Sequence, residues 1–113
     1  MNGVDGTAVA AAFNERINAR DLDGLTALMT DDHTFVDDAG AAINGRQACA
    51  DAWAAFFATF PDYRNVFETM TAEGETVRVT GHSVCAAPEL AGPAAWTATI
   101  RDGKVSRWQV TGA

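Results

Sequence analysis

The sequence predicts an α+β fold, and two observations carry that prediction. Apolar residues recur at helical spacing as far as Phe60 and alternate singly after Pro61. Helices first, followed by linked antiparallel strands, is not the βαβ alternation that builds a parallel sheet. Geometry adds a third expectation. Three helices cannot cover both faces of a long twisted sheet, so the sheet is expected to curve around them and leave a hollow.

The elements follow in order. Val9, Phe13 and Ile17 recur every four residues, which predicts a helix over about Thr7 to Ala19. Asp5 or Thr7 can cap it. A second, short helix begins at Asp21, with Leu22, Leu25, Leu28 and Met29 on its inner side; Gly24 weakens it slightly. A strand is expected at about His33 to Asp37, then a loop through Ala39-Gly40-Ala41-Ala42. Asn44 with Gln47 resembles a capping box for a third helix, about Gly45 to Thr59. Cys49, Trp53, Phe56, Phe57 and Phe60 give that helix a wide apolar face, and Pro61 cannot continue it.

Strands are then expected at Tyr63 to Ala72 and Thr76 to Cys85, joined through Glu73-Gly74-Glu75. Ala86 to Pro93 reads as a loop. Ala94 to Arg101 and Lys104 to Thr111 flank Asp102-Gly103, a strong hairpin signal.

The chain has 113 residues, the length of one domain with one core. Its net charge of −7 repels phosphate backbones, and no Lys or Arg run opposes that, so nucleic-acid binding is not expected. Met1 to Asp5 lacks the basic and apolar regions of a secretory signal, and no apolar run reaches membrane-span length. The expected location is the cytoplasm. Cys49 and Cys85 lack metal-ligand spacing and read as unreactive thiols.

The candidate chemistry gathers around His33-Thr34-Phe35-Val36-Asp37-Asp38. In a strand, His33, Phe35 and Asp37 share one face. If that face looks into a pocket, Asp37 ends an aromatic-lined strand. A carboxylate in apolar surroundings is a stronger base, suited to proton transfer beside a carbonyl. The competing reading has Asp37 turning the loop beside Asp38. His33 lies ~13 Å from Asp37 at strand rise and is expected at the rim.

His82 is the second catalytic candidate. Arg78, Thr80, His82 and Val84 share one strand face; Val77, Val79, Gly81, Ser83 and Cys85 share the other. An inward His82 would be a general acid near Asp37, and an outward one a surface residue on the less apolar face. Two histidines without a third ligand make no metal site, and no cofactor is expected.

Phe13, Phe35, Trp53, Tyr63 and Trp96 are the candidate ligand contacts. Trp96 either stacks on a ligand or fills the hollow. Tyr63 either offers a hydroxyl at the mouth or pairs across strands. Arg64, Arg78, Arg101 and Arg107 read as solvated strand residues.

A family resemblance adds to this. Asn18-Ala19-Arg20-Asp21-Leu22-Asp23-Gly24-Leu25-Thr26-Ala27-Leu28, Asp31-Asp32 and Phe35-Val36-Asp37 resemble the opening of nuclear transport factor 2-like proteins. Gly45-Arg46, Phe56-Phe57, Phe60-Pro61-Asp62 and Asp102-Gly103-Lys104-Val105 fit the same pattern. The narrower likeness is to the SnoaL-like polyketide cyclase and ketosteroid isomerase branch. It implies a cone-shaped, curved mixed or antiparallel sheet wrapped around the three helices, also called cystatin-like. It implies a deep apolar pocket for a small hydrophobic ligand, and a homodimer through the outer sheet face.

The resemblance matches Asp37 to the isomerase general base. It puts Phe13 at the isomerase tyrosine position and Trp96 at its protonated acid. Phe13 donates nothing, and Trp96 offers one N–H. Losing two such donors at ~2.7–4 kcal/mol each removes most enolate stabilisation, so true ketosteroid isomerase activity is not expected. What stays open is a cofactor-free cyclase or isomerase, an epoxide-hydrolase-like enzyme, or a binding module without turnover.

Overall fold

The computed structural model describes residues 6–111. The Asp5 cap and the Met1 to Asp5 segment lie outside the described residues. Helices α1 (Gly6–Ala19) and α2 (Leu22–Ala27) precede strand β1 (Met29–Val36). Then come β2 (Ala42–Asn44), α3 (Arg46–Thr59), β3 (Arg64–Glu73), β4 (Thr76–Val84), β5 (Gly92–Arg101) and β6 (Lys104–Val110). A 3₁₀ turn, Pro88–Leu90, precedes β5.

Helix α1 buries Val9, Phe13 and Ile17, the stripe its spacing predicts, together with Asn14. Arg20 ends it in a left-handed conformation, with φ of 57°. The Arg20 guanidinium donates to the carbonyls of Pro61, Ile17 and Asn18 and lies 5.9 Å over the Phe57 ring. One side chain thus ties the α1–α2 corner to the exit of α3. Asp21 caps α2 by accepting from Gly24 N at 3.0 Å.

Three local expectations change. The second helix stops at Ala27, and Met29 already belongs to β1. Asn44 lies in β2, which occupies the end of the expected loop, and its Oδ1 accepts from Thr34. Gly45 is the residue before α3 and makes no side-chain cap, while Gln47 bonds Asp51, so no capping box forms.

The six strands form one sheet in the order β2-β1-β6-β5-β4-β3. The β1–β6 pairing is parallel and the others are antiparallel. The α+β class and mixed sheet therefore hold. The cone-shaped curved sheet does not: this sheet is not curled or closed. Closure requires the two edge strands to pair. Here one edge is β2, only three residues long, and the other, β3, pairs with β4 alone. Helices and loops, not a ring of strands, bound the interior.

The sheet has one tight approach. A Cβ on Gly81 would sit 2.0 Å from the Val66 carbonyl oxygen. The β3–β4 register shifts between Phe67 and Thr69 beside it, and only glycine admits that bulge. Helix α1 packs against β3 to β6, and α3 against β1 and β2. Among the described residues no helix is long and apolar enough to cross a membrane.

Candidate functional site

The inner face of the sheet divides into a filled part and a hollow one. In the filled part Phe13 stacks at 4.7 Å on Trp108 and at 5.7 Å on His33, and all three are buried. Beside it lies a cavity of about 430 Å³. That is within the size range of small-molecule sites.

Six aromatic side chains line the cavity: Phe35, Trp53, Phe56, Tyr63, Trp96 and Trp108. Trp53 comes from the buried face of α3, and Phe35 meets it edge-on at 5.8 Å. Phe56 lies edge-on to both Trp53 and Tyr63, at 5.7 and 4.8 Å. These rings run along the wall. On β4 and β5 the lining also includes small residues, Ser83, Gly92 and Ala94. Trp96 and Trp108 are almost wholly buried and belong to both parts.

Asp37 lines this cavity just past the end of β1. Its Oδ1 accepts from Ala39 N and Ala41 N, each at 2.9 Å, and its own N–H donates to the Ala41 carbonyl at 2.9 Å. The carboxylate therefore holds the β1–β2 loop and also faces the hollow. Its Oδ2 makes no hydrogen bond among the described residues.

Tyr63 stands on the same wall with two polar residues that the sequence did not single out, Ser83 and Asn65. The Tyr63 hydroxyl lies 3.2 Å from Ser83 Oγ, and Ser83 Oγ donates to Asn65 Oδ1 at 2.9 Å. With the Ser83 proton on Asn65, Tyr63 is the donor to Ser83. Asn65 is fixed in turn by α1. Its N–H donates to Asn18 Oδ1 at 2.9 Å, and its carbonyl accepts from Asn18 Nδ2 at 2.9 Å and Asn14 Nδ2 at 3.3 Å. Burial pushes the Tyr63 phenol above its ordinary value, with the nearby Cys85 adding to this, against the Ser83 and Asn65 hydrogen bonds. Tyr63 is thus a neutral O–H at physiological pH.

Of the candidate residues, Asp37, Phe35, Trp53, Tyr63 and Trp96 meet at the cavity. Phe13 does not line it and lies wholly in the filled part. His82 is not brought there either. Its strand buries Val77, Val79, Gly81 and Ser83 inward, which turns His82 outward. There its Nδ1 lies 3.4 Å from Glu68 Oε2, with both side chains largely exposed.

His33 is a correction of depth. Expected at the rim, it is fully buried under Phe13. Its Nδ1 donates to the Val105 carbonyl at 2.6 Å, and Nε2 has no partner among the described residues. Burial holds its pKa below the ordinary value despite that hydrogen bond and nearby Asp32. Cys49 is likewise buried, which raises its pKa, so it stays a thiol. Among the described residues, no three His, Cys, Asp or Glu side chains cluster as metal ligands.

Comparison with known proteins agrees with this architecture. The SnoaL-like domain family matches residues 10–108. A search of curated proteins finds no match. Among solved structures, an uncharacterized cystatin-fold protein from Novosphingobium aromaticivorans superposes with a TM-score of 0.83 at 22% identity, covering 96% of this chain and 98% of that one. A putative polyketide cyclase from Sinorhizobium meliloti gives 0.83 at 19% identity, covering 95% and 99%. An epoxide hydrolase from M. tuberculosis, described as LEH-like, gives 0.81 at 16% identity, covering 93% and 80%. At these identities the likeness is one of fold.

Proposed function

Because the chain belongs to the SnoaL-like domain family, we propose that it binds a small hydrophobic molecule in the cavity beside Asp37 and transfers a proton on it. The observation that supports this is the make-up of one recessed, partly open space. About 430 Å³ lined by six aromatic side chains also presents the Asp37 carboxylate, with one oxygen unengaged among the described residues, and a hydroxyl pair anchored to α1. Apolar walls supply affinity at roughly 25 cal/mol per Å² removed from water. The few polar groups set orientation.

In this reading Asp37 Oδ2 takes a proton from carbon beside a ligand carbonyl and returns it elsewhere on the molecule. Tyr63 turns its O–H from Ser83 toward the carbonyl oxygen, and Ser83 and Asn65 hold Tyr63 in place. This supplies one donor to the developing enolate, where the Phe13 position supplies none. The reaction class is a cofactor-free isomerisation or cyclisation. The Sinorhizobium protein described as a polyketide cyclase has the same fold.

A second reading, binding without turnover, is favoured by a specific observation. Asp37 Oδ1 is committed to two loop N–H groups, so the same carboxylate has a structural task. Asp37→Asn separates the two. With small aryl ketones in D₂O, the protein is expected to catalyse exchange of the α-proton, read by NMR. The variant should lose that exchange by about 10²-fold or more, while ligand quenching of tryptophan fluorescence persists. Exchange unchanged in the variant removes Asp37 from the chemistry. Binding with no exchange in the unmodified protein leaves the second reading.

A further inference from the structure

The charge around the cavity has one sign. Asp37 and Asp38 come from the end of β1, and Glu89 comes from the 3₁₀ turn before β5; all three line the same space. Among the described residues no Lys, Arg or His lines it. Five of the eight basic side chains have partners elsewhere. Arg16 pairs with Asp21, Arg46 with Asp31, Arg78 with Glu73 and Arg101 with Asp32. Arg20 is bound to the Pro61 carbonyl. Arg64 and Arg107 are exposed, and each alternates along its strand with neighbours that line the cavity, Asn65 and Trp108. Lys104 sits in the β5–β6 hairpin next to Arg101 across the strands.

An anion entering this space would meet three carboxylates, of which Asp38 and Glu89 are exposed, and no basic side chain among the lining residues. A cation would meet the opposite. The carboxylates offer Coulomb attraction, and the rings of Phe35, Trp53 and Phe56 line the same space, where an aromatic system can attract an ammonium group.

We infer that the ligand is a hydrophobic amine that enters as its ammonium form, with the charged end at Asp38 and Glu89 and the apolar body among the aromatic rings. This rests on the binding reading above and names the substrate class for that same site. The amine and the carbonyl recognised by Tyr63 sit at different ends of one molecule.

Three matched probes test it by calorimetry: phenylpropylamine, phenylpropanol and phenylpropionate. They share an apolar body and differ in the charge of one end. The amine is expected to bind about tenfold tighter than the alcohol, and the carboxylate weaker than both. Raising the salt should narrow the gap between amine and alcohol. The D38N/E89Q variant should erase that gap while leaving the alcohol's affinity unchanged. The alcohol matching the amine, the carboxylate binding best, or a gap that survives in the variant would each overturn the amine inference alone. No binding by any of the three would overturn the binding reading and this inference with it.

Discussion

Ala94 and Ala98 stand on the same face of β5, yet their surroundings are opposite. Ala94 lines the cavity, whereas Ala98 is fully buried among packed side chains. Both parts of the interior are rich in aromatic residues, so composition does not separate them. Ring direction does. In the filled part Phe13 of α1 reaches across to Trp108 of β6, and Phe67 stacks on Trp108 from β3 at 6.1 Å. In the hollow part Phe35, Trp53, Phe56 and Tyr63 pack edge-on in a row along one wall. Rings that satisfy one another along a wall leave the space before them empty.

The largest expected effect removes a cross-space ring. Phe13→Ala should cost about 3–5 kcal/mol of stability, because its neighbours cannot collapse into the gap. Phe56→Ala, on the half-buried wall, should cost clearly less and weaken ligand binding instead. Urea denaturation measures the first difference and ligand titration the second. Equal losses of stability would mean that the two parts are one continuous core.

The two alanines sharpen the comparison from the other side. Ala98→Phe forces a ring into a full space and should cost about 1–3 kcal/mol or more. Ala94→Phe puts the same ring into a void. Its stability should stay within about 0.5 kcal/mol, and its ligand affinity should fall at least tenfold. A destabilised Ala94→Phe that still binds would show the cavity to be smaller than the geometry gives.

His33 marks the filled part electrostatically. Its folded pKa lies below the ordinary value of 6.5 because burial penalises the imidazolium. Near and below that ordinary value, the unfolded chain takes up a proton that the folded one refuses. Stability should therefore be full well above it, fall as pH drops through it, and level off below the folded pKa. Asp32 contributes in another window. Its hydrogen bond from Arg101, then that from Thr30, lowers its pKa from 3.8 to about 2, so its share persists until stronger acid. Urea midpoints at about pH 7.5 and about pH 5 should differ in the unmodified protein and converge in His33→Phe. Equal slopes in the two would assign the acid sensitivity to another group.

Local features were the legible ones. The Val9, Phe13, Ile17 stripe gave α1. Asp102-Gly103 gave the β5–β6 hairpin, where both residues take positive φ, 55° and 73°. Strand parity put His33, Phe35 and Asp37 on one side, and all three do face the interior. What parity cannot supply is depth. His33 is buried because Phe13, some twenty residues earlier, lies over it, and Asp37 is not because nothing does. The open sheet was illegible for a similar reason. Whether β2 and β3 meet depends on partners far apart in sequence, and β2 is too short to announce itself. Asn65 and Ser83 carried a usable signal: Asn65 shares parity with Tyr63, and Ser83 shares it with Val77 and Val79. Small polar residues inside strands seldom draw notice without their partners in view.

His82 supplies the smallest expected effect and tests the outer boundary of the hollow. Its neighbours along β4, Gly81 and Ser83, are both buried, and the pleat sends His82 the other way, toward Glu68. An exposed pair of this kind contributes at most about 1 kcal/mol, and often nothing measurable. His82→Ala should therefore change the urea midpoint by an amount equivalent to less than about 0.5 kcal/mol and leave ligand affinity and proton exchange unaltered. Ser83→Ala, one residue on, removes the acceptor of Tyr63 and should weaken binding of a carbonyl ligand about tenfold. If the two variants exchanged these outcomes, β4 would present its other face to the ligand. The cavity beside Asp37 would then be lined by a different set of side chains.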